Sequence, residues 1–319
     1  MKKTKKYLIL TSLIFIALGL ILTAAAFFSV GFHISGFNTV NYEAELTPLE
    51  RPYNKIVIDA DWCDVLIMKP QARSAFPQYQ DLGITSPCVL SYNAGNEIFT
   101  EVGYGEGNIL YITRRDLRRW YDRIGYDFDM QSDQIVLFLD DLHFDALEIQ
   151  SSSGRIWLLS EAEIEQVQLQ SISGEIFSKD LTCDALTIKT TSGAIHVQTS
   201  ASGNLLLETT SGDITLSTVH AADTFHAKTV SGEISADMIT SQNTLTLETT
   251  SGDIVFSDLD AASGLCFEST SGDIDGSIST AKRFSVKTVS GDVDVPSDVN
   301  GAPLCVVKTT SGDIDIKIK

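Results

Sequence analysis

Acidic residues recur directly after a repeated glycine, and this spacing could bring carboxylates side by side. Nine copies of a phrase built on Ser-Gly recur about every twenty residues between Ser153 and Gly312, and most of their glycines precede Asp or Glu. The acidic row consists of Glu175, Asp213, Glu233, Asp253, Asp273, Asp292 and Asp313, and it is broken by Arg155 and Ala194. Stacked carboxylates repel one another, and a cation with oxygen ligands would relieve that repulsion.

Calcium is the ion that such an oxygen-only set favours. The last three repeats carry a second aspartate two residues further on, so the candidate ligands are Asp273, Asp275, Asp292, Asp294, Asp313 and Asp315. The glycine-rich pattern of calcium-binding nonapeptide rolls is absent. The alternative is a solvated acidic edge whose carboxylates accept turn hydrogen bonds and discourage aggregation. No other metal and no cofactor is expected.

A second row with potential for binding lies three residues before each glycine. It contains only Ser or Thr, namely Ser151, Ser171, Thr190, Thr209, Thr229, Thr249, Ser269, Thr288 and Thr309. Stacked hydroxyls could form a face that binds a flat polymer or an ice-like lattice. The alternative is a structural ladder in which the hydroxyls bond to one another and to the turn backbone.

An arginine-rich segment at residues 113–124 is the third candidate. Leu117, Trp120, Tyr121 and Ile124 fall at helical spacing, which predicts a short amphipathic helix. Its polar positions could contact anionic lipid or a wall polyanion, and the candidate contacts are Arg114, Arg115, Arg118, Arg119, Trp120 and Arg123. The alternative is a helix or loop packed over the rest of the fold, with its arginines paired to acidic residues.

Histidines and nucleophiles give no catalytic pattern. His143, His196, His220 and His226 share no spacing with a nucleophile or a carboxylate pair, and the repeats leave no room for long loops over one face. A polysaccharide lyase built on a β-helix is therefore the least favoured function, and we predict that the chain is not an enzyme.

The repeat itself predicts the fold. Successive glycines are 19 to 21 residues apart, and apolar residues recur seven and five positions before and two positions after each glycine. This alternation is typical of strands with one buried face. Each repeat then forms a strand, a Ser-Gly turn and a second strand, and stacked repeats bury the apolar face. We predict an all-β, parallel β-solenoid with coils of about 20 residues, and a type II turn in which glycine supplies positive φ.

The chain divides into four parts. Residues 1–32 form a cytoplasmic tip and a transmembrane signal-anchor, because four lysines precede an apolar stretch at residues 7–32. Residues 33–52 are a juxtamembrane linker, residues 53–145 form an irregular strand-rich cap with the insert, and residues 146–319 form the regular solenoid. The predicted location is a single-pass protein of the cell membrane with a cytoplasmic N-terminus and an extracytoplasmic solenoid. A cleaved signal peptide ending near Ala24–Ala26 is the alternative.

Charge and cysteine content narrow the partners. The formal net charge of −19 argues against nucleic acid as a ligand. The number of cysteines is odd, so at least one is unpaired within the chain. Cys266 and Cys305 lie two repeats apart, which is too far for a disulfide, and a Cys63–Cys88 disulfide is the one pairing that remains possible. The sequence after Ile314 has no capping segment, so the strand edge of the last repeat is expected to be open and to support end-to-end homo-oligomers.

These features together resemble the bacterial "putative adhesin" family of β-strand-repeat envelope proteins, a domain of unknown function. The resemblance rests on the anchor, the segments 135–139 and 144–149, and the tandem Thr-x-Ser-Gly-Asp-Ile repeats. It implies a non-enzymatic adhesion, interaction or scaffold protein of the cell surface that binds an envelope protein or glycan. Family members are sometimes encoded with envelope stress systems, so an accessory of a stress-sensing system is the alternative.

Overall fold

The structure is a computed structural model of the 319-residue chain. It describes residues 15–16, 18–23, 43–50, 52–71, 88–94, 98–117 and 133–319. Residues 15–16 and 18–23 are helical, and within the described part of the chain no helix has the length and apolar character needed to span a membrane. Most of the predicted anchor at residues 7–32 lies outside the described residues.

Apart from a short 3-10 turn at residues 70–71, the other regular structure in the described residues consists of β-strands. Seven belong to the N-terminal cap: β1 (Glu43–Pro48), β2 (Lys55–Ala60), β3 (Asp64–Met68), β4 (Cys88–Ala94), β5 (Ile98–Gly105), β6 (Ile109–Asp116) and β7 (Gln134–Leu139). The repeats contain β8 (His143–Ser151), β9 (Ile156–Leu158), β10 (Ala162–Ser171), β11 (Ile176–Lys189), β12 (Ile195–Glu208), β13 (Ile214–Ala221), β14 (Phe225–Lys228), β15 (Ile234–Ser241) and β16 (Thr244–Glu248). They continue with β17 (Ile254–Ala261), β18 (Gly264–Glu268), β19 (Ile274–Ile278), β20 (Arg283–Lys287), β21 (Val293–Asp294), β22 (Leu304–Lys308) and β23 (Ile314–Ile318).

The repeats stack in parallel, as predicted, and equivalent residues face each other in register. Leu245 pairs with Leu265 before the turn, and Ile234 pairs with Ile254 after it. The inward rows are almost completely buried and form one continuous core through the stack. A third strand-forming stretch follows an outward corner, where Thr218 and Met238 have φ of 56° and 54°. The parallel β-solenoid is thus confirmed.

The last two repeats stack in the reverse of their chain order. Strands β22 and β23, which we call the inserted coil (residues 304–318), pair directly with β18 and β19. Strands β20 and β21, which we call the outer coil (residues 283–294), lie on the far side of the inserted coil. The expected open edge is wrong for the start of β23, because Ile314 and Asp315 pair with β21 as well as with β19. From position 316 to 318, β23 pairs only with β19 among the described strands, so this part of the edge is open as expected.

The N-terminal end is also interleaved. Strands β2 and β3 lie directly against β8 and β9, and β6 and β7 lie outside them. Two antiparallel strands then cover the stack, since β5 pairs with β6 and β4 pairs with β7, and β1 pairs with β4. These strands occupy the edge that a further parallel coil would need. We refer to β1–β7 as the N-terminal cap.

Candidate interaction surfaces

The repeated glycine is required by close backbone approach. A Cβ atom placed on Gly232 would lie closer than 3.0 Å to the carbonyl oxygen of Gly212 in the next coil, and the same holds at each repeat. Among the described glycines, only Gly107 and Gly301 have positive φ. The predicted type II turn is therefore wrong, because stacking at strand spacing, rather than a left-handed conformation, excludes a side chain here.

The hydroxyl row is buried, except for the half-buried Thr288, and it bonds to the backbone of two coils. Thr229 is fully buried; its Oγ1 accepts a hydrogen bond from Gly232 N (3.1 Å) and donates one to Gly212 O (3.0 Å). The same pair of bonds recurs at Thr209, Thr249, Ser269 and Thr309. The row is thus a structural element of the turn, and it does not form an accessible binding face.

The acidic row bonds to the backbone of the neighbouring coil. Asp213 Oδ1 accepts a hydrogen bond from Glu233 N (2.9 Å), and Asp253 Oδ1 accepts one from Asp273 N (2.9 Å). At the end of the stack, Asp273 accepts from Asp313 N, and Asp313 accepts from Asp292 N, at 2.8 Å each. These carboxylates therefore align successive coils.

The doubled aspartates face outward in a second row. Register places Asp315 between Asp275 and Asp294, and Lys317 Nζ lies 2.9 Å from Asp315 Oδ2. In the described part of the chain, no three His, Cys, Asp or Glu side chains are grouped to hold a metal ion. Calcium binding by Asp273, Asp275, Asp292, Asp294, Asp313 and Asp315 stays a prediction.

A ladder of opposite charges runs along the outer face of the strands before the turn. Lys189 Nζ lies 2.7 Å from Glu208 Oε2, and Lys228 Nζ lies 2.9 Å from Glu248 Oε2. The hydrogen bond to Glu248 raises the pKa of Lys228. Exposed pairs of this kind contribute about 1 kcal/mol or less each, so the ladder mainly neutralises the face of an acidic protein.

The arginine-rich segment begins as a strand. Residues 113–116 belong to β6, which corrects the predicted helix over this part, and residues 118–124 lie outside the described residues. Arg114 is buried, where it ion-pairs with Asp133 and donates to Asn93 O and Thr100 Oγ1, so it does not present a surface to lipid. Arg115 is partly exposed and pairs with Asp59 and Asp61.

The alternative interpretation of this segment, arginines paired to acidic residues, therefore fits Arg114 and Arg115. Arg118, Arg119, Trp120 and Arg123 stay predicted contacts. Arg114 itself occupies the hydroxyl position of its coil, because it pairs in register with Ala60, which in turn pairs with Ser151.

Apolar side chains also cover part of the outer face at the N-terminal end. Leu66, Met68, Val136 and Phe138 form a buried cluster apart from the core, and Trp157 packs against it. The Trp157 ring meets Phe177 edge to face at 6.4 Å and lies 4.6 Å from Arg155 Cζ. Arg155 in turn pairs with Asp64, so the break in the acidic row has a structural cause.

Exposed aromatic rings concentrate on the N-terminal cap. Trp62, Phe99, Tyr104 and Tyr111 are between 42% and 56% exposed. Between residues 133 and 319, none of the exposed large hydrophobic residues is aromatic. Aromatic residues are enriched in protein interfaces, which makes this cap the candidate interaction surface. Sequence reasoning missed it, although Trp62 stands where the repeats have Ser, directly before Cys63 and Asp64 in the glycine and acidic rows.

None of the five cysteines, all of which lie in the described part of the chain, forms a disulfide. The Cys63–Cys88 disulfide that the sequence left open is not formed, and burial raises the pKa of Cys63 well above its usual range. Reversed stacking brings Cys266 into the coil next to Cys305, but Cys305 points into the core and Cys266 lies on the outer face. Burial raises the pKa of Cys266 to about 11, so this thiol is protonated at neutral pH.

Comparison with known proteins agrees with this architecture. The sequence profile of the Toastrack DUF4097 family matches residues 53–317. The chain belongs to this family. The match begins after β1 and ends within β23, so the family domain includes β2–β7 of the cap as well as the repeats.

Among solved structures, similar chains are found at low identity. A "putative adhesin" from Parabacteroides distasonis is 11% identical, with a TM-score of 0.50 over 87% of this chain and 97% of that chain. A second "putative adhesin", from Bacteroides fragilis, is 11% identical, with a TM-score of 0.48 over 74% of this chain and 97% of that chain. The search of curated proteins gives no match.

Proposed function

We propose that this Toastrack protein is a membrane-anchored, extracytoplasmic β-solenoid that acts as a non-enzymatic adhesion, interaction or scaffold protein of the cell surface. The observation that carries the proposal is the concentration of exposed aromatic rings on the N-terminal cap. The names of the adhesin-like structures agree with an interaction role. The cap is the surface on which we expect the partner to bind.

Two features of the regular repeats support a non-enzymatic role. The hydroxyl row and much of the acidic row bond to neighbouring coils, and the lysines of the charge ladder form ion pairs with its glutamates. These polar groups are thus engaged in holding the stack together, and catalysis needs groups that are free to meet a substrate.

The anchor would place the cap close to the membrane. Residues 33–42 separate the apolar stretch from β1, and ten extended residues reach at most about 35 Å. A cap held at this distance suits a partner in the membrane or in the adjacent wall layer. The insert also carries Arg118, Arg119 and Arg123, which stay predicted contacts for an anionic partner.

Site-specific photo-crosslinking in intact cells tests this proposal. A photoreactive residue at Phe99 or Tyr111 should capture a partner, because both rings are exposed on the cap. The matched control is Thr250, which is exposed on the regular repeats. Capture of wall glycan or an adhesion partner supports the surface role, and capture of a membrane kinase favours the stress-sensing accessory. Equal capture from Thr250, or no capture from the cap, would contradict the proposed surface.

Alkaline extraction of membranes tests the anchor separately. The full chain should stay in the membrane pellet, and a variant without residues 7–32 should be released. Release of the full chain would contradict the proposed membrane anchor, but it would not affect the proposal that the cap binds the partner.

A further inference from the structure

We infer that the inserted coil (residues 304–318) can exchange between two copies of this chain, joining two solenoids at the end remote from the cap. Each copy would donate its inserted coil to the slot between β18–β19 and the outer coil of the other. The partner is therefore a second copy, and the contacts are those already present within one chain. This inference does not depend on the anchor or on the cap surface.

The slot has two walls that bind the inserted coil through ordinary strand pairing. On one side, five residues of β22 pair with β18 and five residues of β23 pair with β19. On the other side, the whole of β20 pairs with β22. Cys305, Val307, Ile314 and Ile316 are buried between these walls. A coil from another copy would restore the same hydrogen bonds and the same buried area.

The sequence of the inserted coil does not restrict it to its own chain. The outer coil contains Val-Lys-Thr-Val-Ser-Gly-Asp-Val, and the inserted coil contains Val-Lys-Thr-Thr-Ser-Gly-Asp-Ile. Both therefore carry the turn, hydroxyl and core positions that a coil needs to stack on β18 and β19. Selectivity for one occupant has to come from the connecting segment.

The outer coil is attached to the stack independently of the inserted coil. Lys282, directly before β20, is buried; its Nζ lies 2.6 Å from Asp260 Oδ1 and donates to Ala261 O at 2.9 Å. These acceptors belong to β17, deeper in the stack. The contacts of Lys282 with β17 thus hold the outer coil, which is one wall of the slot, in place when the inserted coil leaves.

The connecting segment (residues 295–303) is held by a small set of contacts. Asp298 Oδ1 accepts a hydrogen bond from Phe284 N at 2.7 Å, Val299 N donates to Lys282 O at 3.2 Å, and Pro303 O accepts from Arg283 N at 3.0 Å. Val295 is partly buried against the core. The segment contains Pro296, Pro303 and Gly301, the last with a φ of 82°. Because a closed and an exchanged form share all other contacts, this hinge decides between them.

Simple edge-to-edge pairing is a poorer explanation of a joint at this end. Two outer coils meeting antiparallel would place Arg283 opposite Lys287 of the other copy, and like charges directly opposite destabilise a strand pair. Asp298 also occupies the outward N–H of Phe284. Exchange avoids both problems because the outer coil stays outermost.

A split-cysteine experiment tests the exchange. One copy is the wild-type chain, with Cys266 on β18. The other carries a larger tag and Cys266→Ser with Val306→Cys, and position 306 pairs with position 266. Both full chains are mixed in detergent, warmed, cooled and oxidised. We expect a mixed disulfide dimer on a non-reducing gel, and its fraction should rise with protein concentration.

Two controls make the outcome decisive. Val306→Cys alone should form a disulfide with Cys266 within one chain, and Cys266→Ser with Ser285→Cys should give no mixed dimer, because Ser285 lies one strand further out. Absence of the mixed dimer, while the single variant closes within one chain, overturns the exchange. So does equal dimer from the Ser285 control, or failure of the single variant to close.

Discussion

At the scale of single residues, the Ser-Gly phrase is a device for stacking backbones. The sequence predicted correctly which rows point inward, since alternation depends only on strand geometry. The sequence-based reason for the glycine was wrong. A turn that needs positive φ and a close contact between backbones both require glycine, so the two causes give the same sequence pattern. Only the position of Gly212 O, one coil away from Gly232, separates the two explanations.

Gly232→Ala should lower the free energy of unfolding by about 3 kcal/mol, since its Cβ would overlap the Gly212 carbonyl and force two coils apart. Gly103→Ala is the matched control, because a Cβ there meets nothing within 4 Å. Thermal unfolding followed by circular dichroism compares them. Equal melting temperatures for the two variants would show that the glycine is not a stacking requirement.

The hydroxyl row gives a second test at this scale. Thr229→Val keeps the shape but removes the partner of Gly232 N and Gly212 O, so it should cost about 2 kcal/mol. Thr210→Val, at an exposed position, should change stability by less than about 0.5 kcal/mol. Denaturant unfolding measures both. If Thr229→Val left the free energy of unfolding unchanged, the hydroxyl hydrogen bonds would not contribute to stability.

At the scale of elements, the N-terminal cap departs most from the sequence-based expectation. The helical spacing from Leu117 onward extended the predicted helix back over Arg114 and Arg115, although Ile109–Asp116 alternates as a strand. The buried ion pair of Arg114 could not be foreseen from the sequence. Its partner, Asp133, directly precedes β7, and its other acceptors lie on β4 and β5, so the three are far apart in the chain.

Arg114→Ala should therefore loosen the cap specifically. Removing one partner of a buried ion pair costs about 3–5 kcal/mol, because the other charge is left without compensation. Arg115→Ala removes a partly exposed pair and should cost about 1 kcal/mol or less. Hydrogen exchange should show faster exchange of β4, β5 and β6 in the first variant only. Uniform exchange across the cap and repeats in both variants would contradict this role of Arg114.

At the scale of the whole molecule, the sequence predicts a solenoid but not the order of its coils. The outer and inserted coils have the same pattern of core, hydroxyl and glycine positions, so chain order and reversed order satisfy the same rows. The sequence does not reveal the N-terminal reversal either, since β2 and β6 both show the alternation of core strands. What separates the orders lies outside the repeat, in Lys282 and the segment from Val295 to Pro303.

The stacking order is also the central claim that a single measurement can test. Cys266, Val306 and Ser285 occupy the same outward row, in that spatial order. With reversed stacking, Val306→Cys should form an intrachain disulfide with Cys266, and Ser285→Cys should not, because it lies two strand spacings or about 9–10 Å away. Mass spectrometry of the oxidised, digested chain reads the result. A Cys266 disulfide in the Ser285→Cys variant but not in Val306→Cys would mean that the coils stack in chain order, and would contradict the account.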